Sequence, residues 1–309
     1  MKILDLCKVD SRAKQIGLLG NTIQADPLLR DKFLEPPFSV LDARAGTWQT
    51  RKRLWREKGI KSEIGRKETL TYNGPAVDFD FYRVKEGKRK VSGSQGTSIF
   101  DPVLTELMYR WFCPENGRIL DPFAGGSVRG IVANYLGYKY SGIELRQEQV
   151  DANRDNALDV LPVNNQPVWY CGDSDAILDD HFLQTYDFLF SCPPYMDLEI
   201  YSEDPCDLSN MNDELFVNKY QSIIKKSCSK LSTEALACFV VGDVRCKKTG
   251  FYKDFLGITK QCFMSAGFRL YNEMILLNQV ASASMRCAKT MTASKKVTKI
   301  HQNVLVFKR

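Results

Sequence analysis

The sequence predicts an α/β protein built on a mostly parallel sheet, and three observations carry that expectation. From residue 101 onward, short apolar runs alternate with segments whose apolar residues recur every three or four positions. The first such run opens into a glycine turn, Ala124-Gly125-Gly126, followed by a helical pattern. The chain then closes on two apolar runs, 268–277 and 303–307, with no apolar helical stripe between them. That ending suits a last strand entering antiparallel.

Each element follows from its residues. Residues 101–112 read as a helix with Leu104, Leu107, Met108 and Trp111 on one face. Residues 118–123 form a short apolar strand, 127–136 a helix, 138–143 a second strand and 146–158 a polar helix. Strands follow at 167–171 and 186–191, a helix at 214–231, a strongly apolar strand at 235–241 and a helix at 251–266. With 268–277 and 303–307, seven strands are expected. Residues 1–96 differ in character. They hold Pro36-Pro37, an Arg/Lys-rich segment and the Gly/Ser stretch 92–96, which reads as a connector. We therefore expect an N-terminal extension, 1–96, and a main domain, 97–309.

The chain has 309 residues, 44% of them apolar and 26% charged, which excludes a wholly disordered protein. No run approaches the ~20 apolar residues of a membrane span, and the first residues lack the apolar core of a signal peptide, so a cytoplasmic setting and no membrane partner are expected. Ten cysteines are scattered without a CxxC pair, and the histidines are His181 and His301. Free thiols fit this pattern better than a disulfide framework, and no metal site is expected.

Charge is unevenly placed around a net +6. Residues 44–90 carry 14 Lys/Arg against 6 Asp/Glu, and residues 285–309 carry 7 Lys/Arg and no acid. Residues 171–215 carry 12 Asp/Glu and no base. Two basic flanks around an acidic centre suit a polyanionic partner.

Four motifs carry chemistry. In Arg118–Gly130 a buried strand delivers Asp121 to a turn where Gly125 and Gly126 let backbone approach a ligand, before a helix whose first N–H groups face the same place. The G-x-G-x-x-G fingerprint and the phosphate-loop Lys-Ser/Thr are both absent, which argues against NAD and ATP. Glu144 ends the next strand, the position from which a carboxylate accepts both hydroxyls of a ribose. Asp173 ends the third strand; it suits an adenine amino group and equally a helix N-cap. Finally, Tyr186–Tyr195 runs from an apolar strand into Cys192-Pro193-Pro194-Tyr195. The prolines fix the backbone so that nearby carbonyls act as oriented acceptors, and the tyrosine offers a planar base a stacking face.

Asp121-Pro122-Phe123-Ala124-Gly125, Glu144, Asp173 and Cys192-Pro193-Pro194-Tyr195, in this order, resemble the S-adenosylmethionine-dependent DNA methyltransferases that modify the exocyclic N6 of adenine or N4 of cytosine. The resemblance covers residues 97–309, and segments 38–44 and 48–55 resemble phage and prophage members, which implies a bacterial or phage-infected host and a setting such as restriction–modification. It implies a Rossmann-like class I methyltransferase fold: a seven-stranded, mostly parallel sheet with helices on both faces. It implies S-adenosylmethionine as cofactor, with Phe100 and Pro102 in the segment closing over its methionine end. Asp121 and Gly125 would line the methionine moiety, together with the turn residues Pro122, Ala124 and Gly126. Phe123 would pack beside the cofactor, Glu144 would hold its ribose and Asp173 would contact its adenine. The implied partner is DNA with a base flipped from the duplex, stacked on Tyr195, its amino group donating to the carbonyl of Pro193.

Cys192 departs from that pattern, which has Asp, Asn or Ser there. A neutral thiol is a weak acceptor. Three readings stay open: Pro193 supplies most of the acceptance, Ser191 substitutes, or Cys192 is a nucleophile for methylating a cytosine ring carbon. Acidic surroundings and the placing of both prolines after the cysteine count against the last. Candidate DNA contacts are Arg51, Arg53 and Arg56 in the segment 48–58, where Trp48, Leu54 and Trp55 equally suit anchoring to the core. Arg286, Lys289, Lys295 and Lys296 lie in 281–299, which reads as a loop between the last two strands. The acidic stretch 196–204 reads as a lid over the cofactor, as an acceptor for base amino groups or as a solvated loop. RNA or protein amine methylation, and a non-catalytic nucleic-acid-binding module, are the competing functions.

Overall fold

The computed structural model describes residues 15–16, 22–23, 27–61, 100–180, 185–196, 202, 204–246, 248–280 and 283–309. In chain order the elements are β1 (Gln15–Ile16), β2 (Thr22–Ile23), α1 (Pro27–Phe33), β3 (Val40–Asp42), α2 (Gly46–Glu57), α3 (Pro102–Phe112), β4 (Arg118–Asp121), α4 (Val128–Tyr135), β5 (Lys139–Glu144), α5 (Gln147–Val160), β6 (Val168–Cys171), α6 (Ser174–Asp180), β7 (Tyr186–Ser191), α7 (Asp213–Ser229), β8 (Leu231–Val241), α8 (Phe255–Ser265), β9 (Arg269–Leu277), α9 (Ala283–Ser294) and β10 (His301–Lys308).

Among the described residues the main sheet has eight strands, ordered β3-β9-β10-β8-β7-β4-β5-β6. β10 runs antiparallel between β8 and β9, as expected of the last strand, and the other pairs are parallel. The expected seven strands are β4 to β10. The eighth, β3, comes from the N-terminal extension and pairs with β9, Leu41 opposite Leu276. Three residues are too few to show a period, which is why the sequence did not announce this strand.

Strand alternation builds two cores, one per face, as a doubly wound sheet requires. Ile119, Phe188, Phe190, Cys238, Val240, Val304 and Val306 point to the face covered by α2 to α5. Their neighbours Leu120, Leu189, Ala237, Phe239, Val241, Leu305 and Phe307 point to the face covered by α6 to α8. α3 starts on an Asp101 cap, whose Oδ1 accepts from the N–H of Val103 (2.9 Å) and of Leu104 (3.4 Å), with Pro102 in the first turn.

The extension does not end at the sheet edge. Trp48 and Trp55 of α2 are buried, and both reach α3 carboxylates: Trp48 Nε1 donates to Asp101 Oδ2 (3.2 Å) and Trp55 Nε1 to Glu106 Oε2 (2.9 Å). Arg51, between them, forms a two-pronged bond to Glu106 at 2.7 and 2.5 Å. Arg51 is therefore buried in an ion pair, which corrects its reading as a DNA contact. The Gly/Ser connector 92–96 lies outside the described residues.

Segment 281–299, read as a loop, contains helix α9 over Ala283–Ser294. Most of its described residues are exposed, so it has no buried stripe from which a period could be recognised. α6, Ser174–Asp180, likewise carries no apolar period. No helix among the described residues is long and apolar enough to cross a membrane.

Candidate functional site

At the carboxyl ends of the central strands lies a cleft of about 600 Å³, in the range of small-molecule sites. Its wall includes the turn Pro122–Gly126, Glu144, Asp173 and all of Cys192–Tyr195, so the four motifs converge although they are spread over 75 positions.

The turn between β4 and α4 is held from every side. Gly125 sits at φ +53°, a backbone favourable to glycine, and a Cβ there would meet nothing within 4 Å. The turn thus presents bare backbone to open cleft. Its N–H donates to Glu144 Oε2 (3.1 Å), and its carbonyl accepts from Asn153 Nδ2 (2.7 Å). The other Glu144 oxygen accepts from the N–H of Arg146 (3.0 Å). Burial raises the Glu144 pKa, opposed by the bonds and charge of Arg146 and the bond from Gly125. Both oxygens keep lone pairs for a diol.

Asp121 is fully buried and does not line the cleft, which corrects its expected place against the cofactor. It lies one layer below, where it receives Arg129 Nε (2.6 Å), Tyr140 OH (2.7 Å), Ser191 Oγ (2.6 Å) and the N–H of Phe123 (3.2 Å). Arg129, itself buried, donates onward to the carbonyls of Phe123 (2.6 Å) and Ala124 (2.9 Å) and lies 4.5 Å over the Phe100 ring. Burial works against its charge, but the charge and bond of Asp121, with the fields of Tyr140 and Cys192, together raise its pKa. The Asp121–Arg129 pair therefore ties the glycine turn to the end of β7, where Ser191 precedes the Cys192 corner. Ser191 is committed to this bond, so it is not placed to substitute for Cys192.

Asp173 serves two partners. Its Oδ1 accepts from the N–H of Asp175 at the start of α6 (3.1 Å), and its Oδ2 pairs with Lys219 (2.7 Å). It caps the helix and also lines the cleft. Phe100 lines the cleft, and Pro102 is buried in the first turn of α3. Thr97, Ser98 and Ile99 of the same segment lie outside the described residues.

Pro193 is buried, and Pro194, Cys192 and Tyr195 are half-buried. The Tyr195 hydroxyl accepts from Gln302 Nε2 (2.6 Å), lies 3.6 Å from Cys192 Sγ, and its ring sits 6.0 Å from Phe255. Asn278 Nδ2 donates to Gln302 Oε1 (3.3 Å). The tyrosine hydroxyl is thus fixed by Gln302 of β10, itself held by Asn278 at the end of β9, and it donates to the Val240 carbonyl (3.4 Å). Nothing in the sequence marked Gln302 or Asn278 for the site. Arg129 alone had a signal, a cation in the helix that follows a glycine turn.

Of the surface candidates, Arg53 and Arg56 are exposed on α2, Arg53 loosely paired with Glu57 (3.8 Å). Lys289 and Lys295 are exposed on and just after α9, and Lys296 packs against Gly250. The side chain of Arg286 lies outside the described residues. Because β3 and β9 are parallel neighbours, α2 and α9 leave the sheet at the same end as the cleft. Of the acidic stretch, 197–201 and 203 lie outside the described residues, while Cys206, Asp207 and Leu208 line the cleft.

No family model matches this sequence, and no curated protein matches it. Among solved structures, TrmN from Thermus thermophilus is similar at TM-score 0.47 and 14% identity, over 68% of this chain and 49% of that one. The chain thus spans about half the length of TrmN. A putative RNA methyltransferase from Pyrococcus horikoshii scores 0.42 at 14% identity, over 67% and 82% of the two chains. Precorrin-6y C5,15-methyltransferase from Geobacter metallireducens scores 0.42 at 13%, over 77% and 100%. The [4+2]-cyclase SpnF scores 0.45 at 13%, over 67% and 81%. The fold is read from the strand order above, not from these scores, and a shared fold does not fix a reaction.

The cleft's own residues fit the cofactor implied by the resemblance. Bare backbone at Gly125, a carboxylate at Glu144 and an acid at Asp173 follow one another along its wall, the order needed by a ligand with an adenosine end.

Proposed function

We propose that this chain is an S-adenosylmethionine-dependent methyltransferase acting on DNA, at the exocyclic amino group of an adenine (N6) or cytosine (N4). The observation that carries this reading is the shared cleft: the Pro193-Pro194-Tyr195 corner opens onto the same space as the glycine turn, Glu144 and Asp173.

Glu144 accepts from the ribose hydroxyls and Asp173 from the adenine amino group, with Phe123 beside them. The cofactor supplies an electrophilic methyl. The target amine is a poor nucleophile because its lone pair is delocalised into the ring. The carbonyl of Pro193, fixed by two prolines, accepts an N–H and turns the lone pair out of the ring plane. Tyr195, held by Gln302, stacks the base in that orientation. Alignment within a water-poor cleft supplies the rate. The target must leave the duplex to arrive there. Residues 274–309 contain no acidic residue, so the cleft side that carries α9, with Lys289 on it and Lys295 just after it, suits a phosphate backbone. Cys192 contributes a small side chain at the corner, its Sγ 3.6 Å from the Tyr195 hydroxyl.

The test is transfer of a tritiated methyl group, offered in parallel to unmethylated DNA, RNA and protein. The proposal expects label in DNA, and in Tyr195→Ala a loss of about 10- to 100-fold, the worth of one base–aromatic stack. Label in RNA or protein alone would replace the substrate. Cofactor binding without transfer to any of them would make the chain a binding module.

A further inference from the structure

The carboxyl group that ends the cofactor's methionine arm needs a cationic partner when it leaves water. Among the described residues, four cations line the cleft: Lys52, Arg129, Arg146 and Lys219. Lys219 pairs with Asp173, and Arg146 bonds Glu144 (3.5 Å) and Gln149 (3.1 Å). Both therefore belong to the end of the cleft read as the adenosine site. Arg129 is buried beneath the turn, its Nε and Nη2 given to Asp121 and two carbonyls and its charge already paired with Asp121.

Lys52 lies elsewhere, on α2 of the N-terminal extension, where Gln49, Lys52, Phe100, Asp101 and Leu104 form the wall beyond the glycine turn. Its Nζ donates to Asp101 Oδ2 at 2.8 Å, and its side chain is 22% exposed. Asp101 is in turn fixed, by capping α3 and by accepting from Trp48 Nε1. An ammonium has three donors, so one holds Lys52 in place and two remain for a ligand. The backbone beneath is rigid: Trp48 and Trp55 are buried, and Arg51 is locked to Glu106.

We propose that Lys52, positioned by Asp101, binds the α-carboxylate of the cofactor's amino-acid end, so that the N-terminal extension completes the cofactor site. The inference rests on the cofactor reading above and adds to it a ligand residue from outside residues 97–309.

The experiment is calorimetric binding of two ligands, S-adenosylhomocysteine, which has the amino-acid end, and 5′-methylthioadenosine, which lacks it. Lys52→Ala is expected to weaken S-adenosylhomocysteine by ~10- to 100-fold, the range of one charge-assisted hydrogen bond. It is expected to leave 5′-methylthioadenosine within about twofold, and Lys52→Arg to recover part of the loss. Unchanged S-adenosylhomocysteine affinity in Lys52→Ala overturns the proposal while leaving the cofactor reading intact. Equal losses for both ligands also overturn it, because Lys52 would then act through the shape of the wall. A wild-type protein that binds neither ligand overturns the cofactor reading itself.

Discussion

Arg129 is where stability and the site meet, and replacing it by methionine separates the two. The side chain is 4% exposed, against 0% for its partner Asp121. Arg129→Met keeps much of the volume but removes the 2.6 Å bond to Asp121 and both bonds to the turn carbonyls. Leaving one member of a buried pair unpartnered costs about 3–5 kcal/mol. In a chain of this size that lowers Tm by roughly 6–20 °C, at ~2–4 °C per kcal/mol. Asp121→Asn keeps one of the two acceptor oxygens that Tyr140 and Ser191 use and strands the Arg129 charge, so it is also strongly destabilising. The double variant strands neither, and its loss should fall short of the sum of the singles by ~1–3 kcal/mol. Urea denaturation of the four proteins measures that difference. Effects adding to within ~0.5 kcal/mol, or a Tm for Arg129→Met within about 2 °C of wild type, would refute the tie between the glycine turn and β7.

Three further outcomes follow from single contacts. Gly125→Ala meets no protein atom but is held at φ +53°, so it should lose only about 1–2 kcal/mol in urea while placing a methyl in the cleft and abolishing S-adenosylhomocysteine binding; unchanged binding would move the ligand away from the turn. Burial opposes ionisation of Glu106, but the bonds and charge of Arg51, the charge of Arg110 and the bond from Trp55 hold its pKa below the ordinary 4.5. A carboxylate lowered on folding stabilises above its ordinary pKa, and that contribution fades as pH falls through the folded value. Glu106→Gln should therefore lose about 3–5 kcal/mol at pH 7 and progressively less below pH ~4.5, and an equal gap at pH 7 and pH 3 would contradict it. Tyr195→Phe keeps the ring and loses the Gln302 bond, so transfer should fall only about fivefold where Tyr195→Ala falls far more; equal losses would deny the ring its stacking role.

What could be read in the sequence was whatever repeats locally. The apolar runs that became β4, β5, β7 and β8 are buried on both faces and left no alternative to strands. Glu144, Asp173 and the Cys192–Tyr195 corner sit at strand ends, where a parallel sheet gathers its ligand groups, and they do share the cleft. The misplacements came from partners distant in sequence. Asp121 faces inward because Arg129, Tyr140 and Ser191 reach it from three other elements. Arg51 looked like part of a basic stripe because Glu106, 55 positions on, gives no local sign of its pairing. α9 has no buried face from which to read a period, and β3 is too short to have one.

The most direct measurement is nucleoside mass spectrometry of DNA from cells producing the wild-type chain and Tyr195→Ala. N6-methyladenine or N4-methylcytosine in the first, and its loss in the second, is the predicted result. 5-Methylcytosine would transfer the chemistry to Cys192, and DNA with no modified base from cells holding folded, cofactor-binding protein would contradict the account.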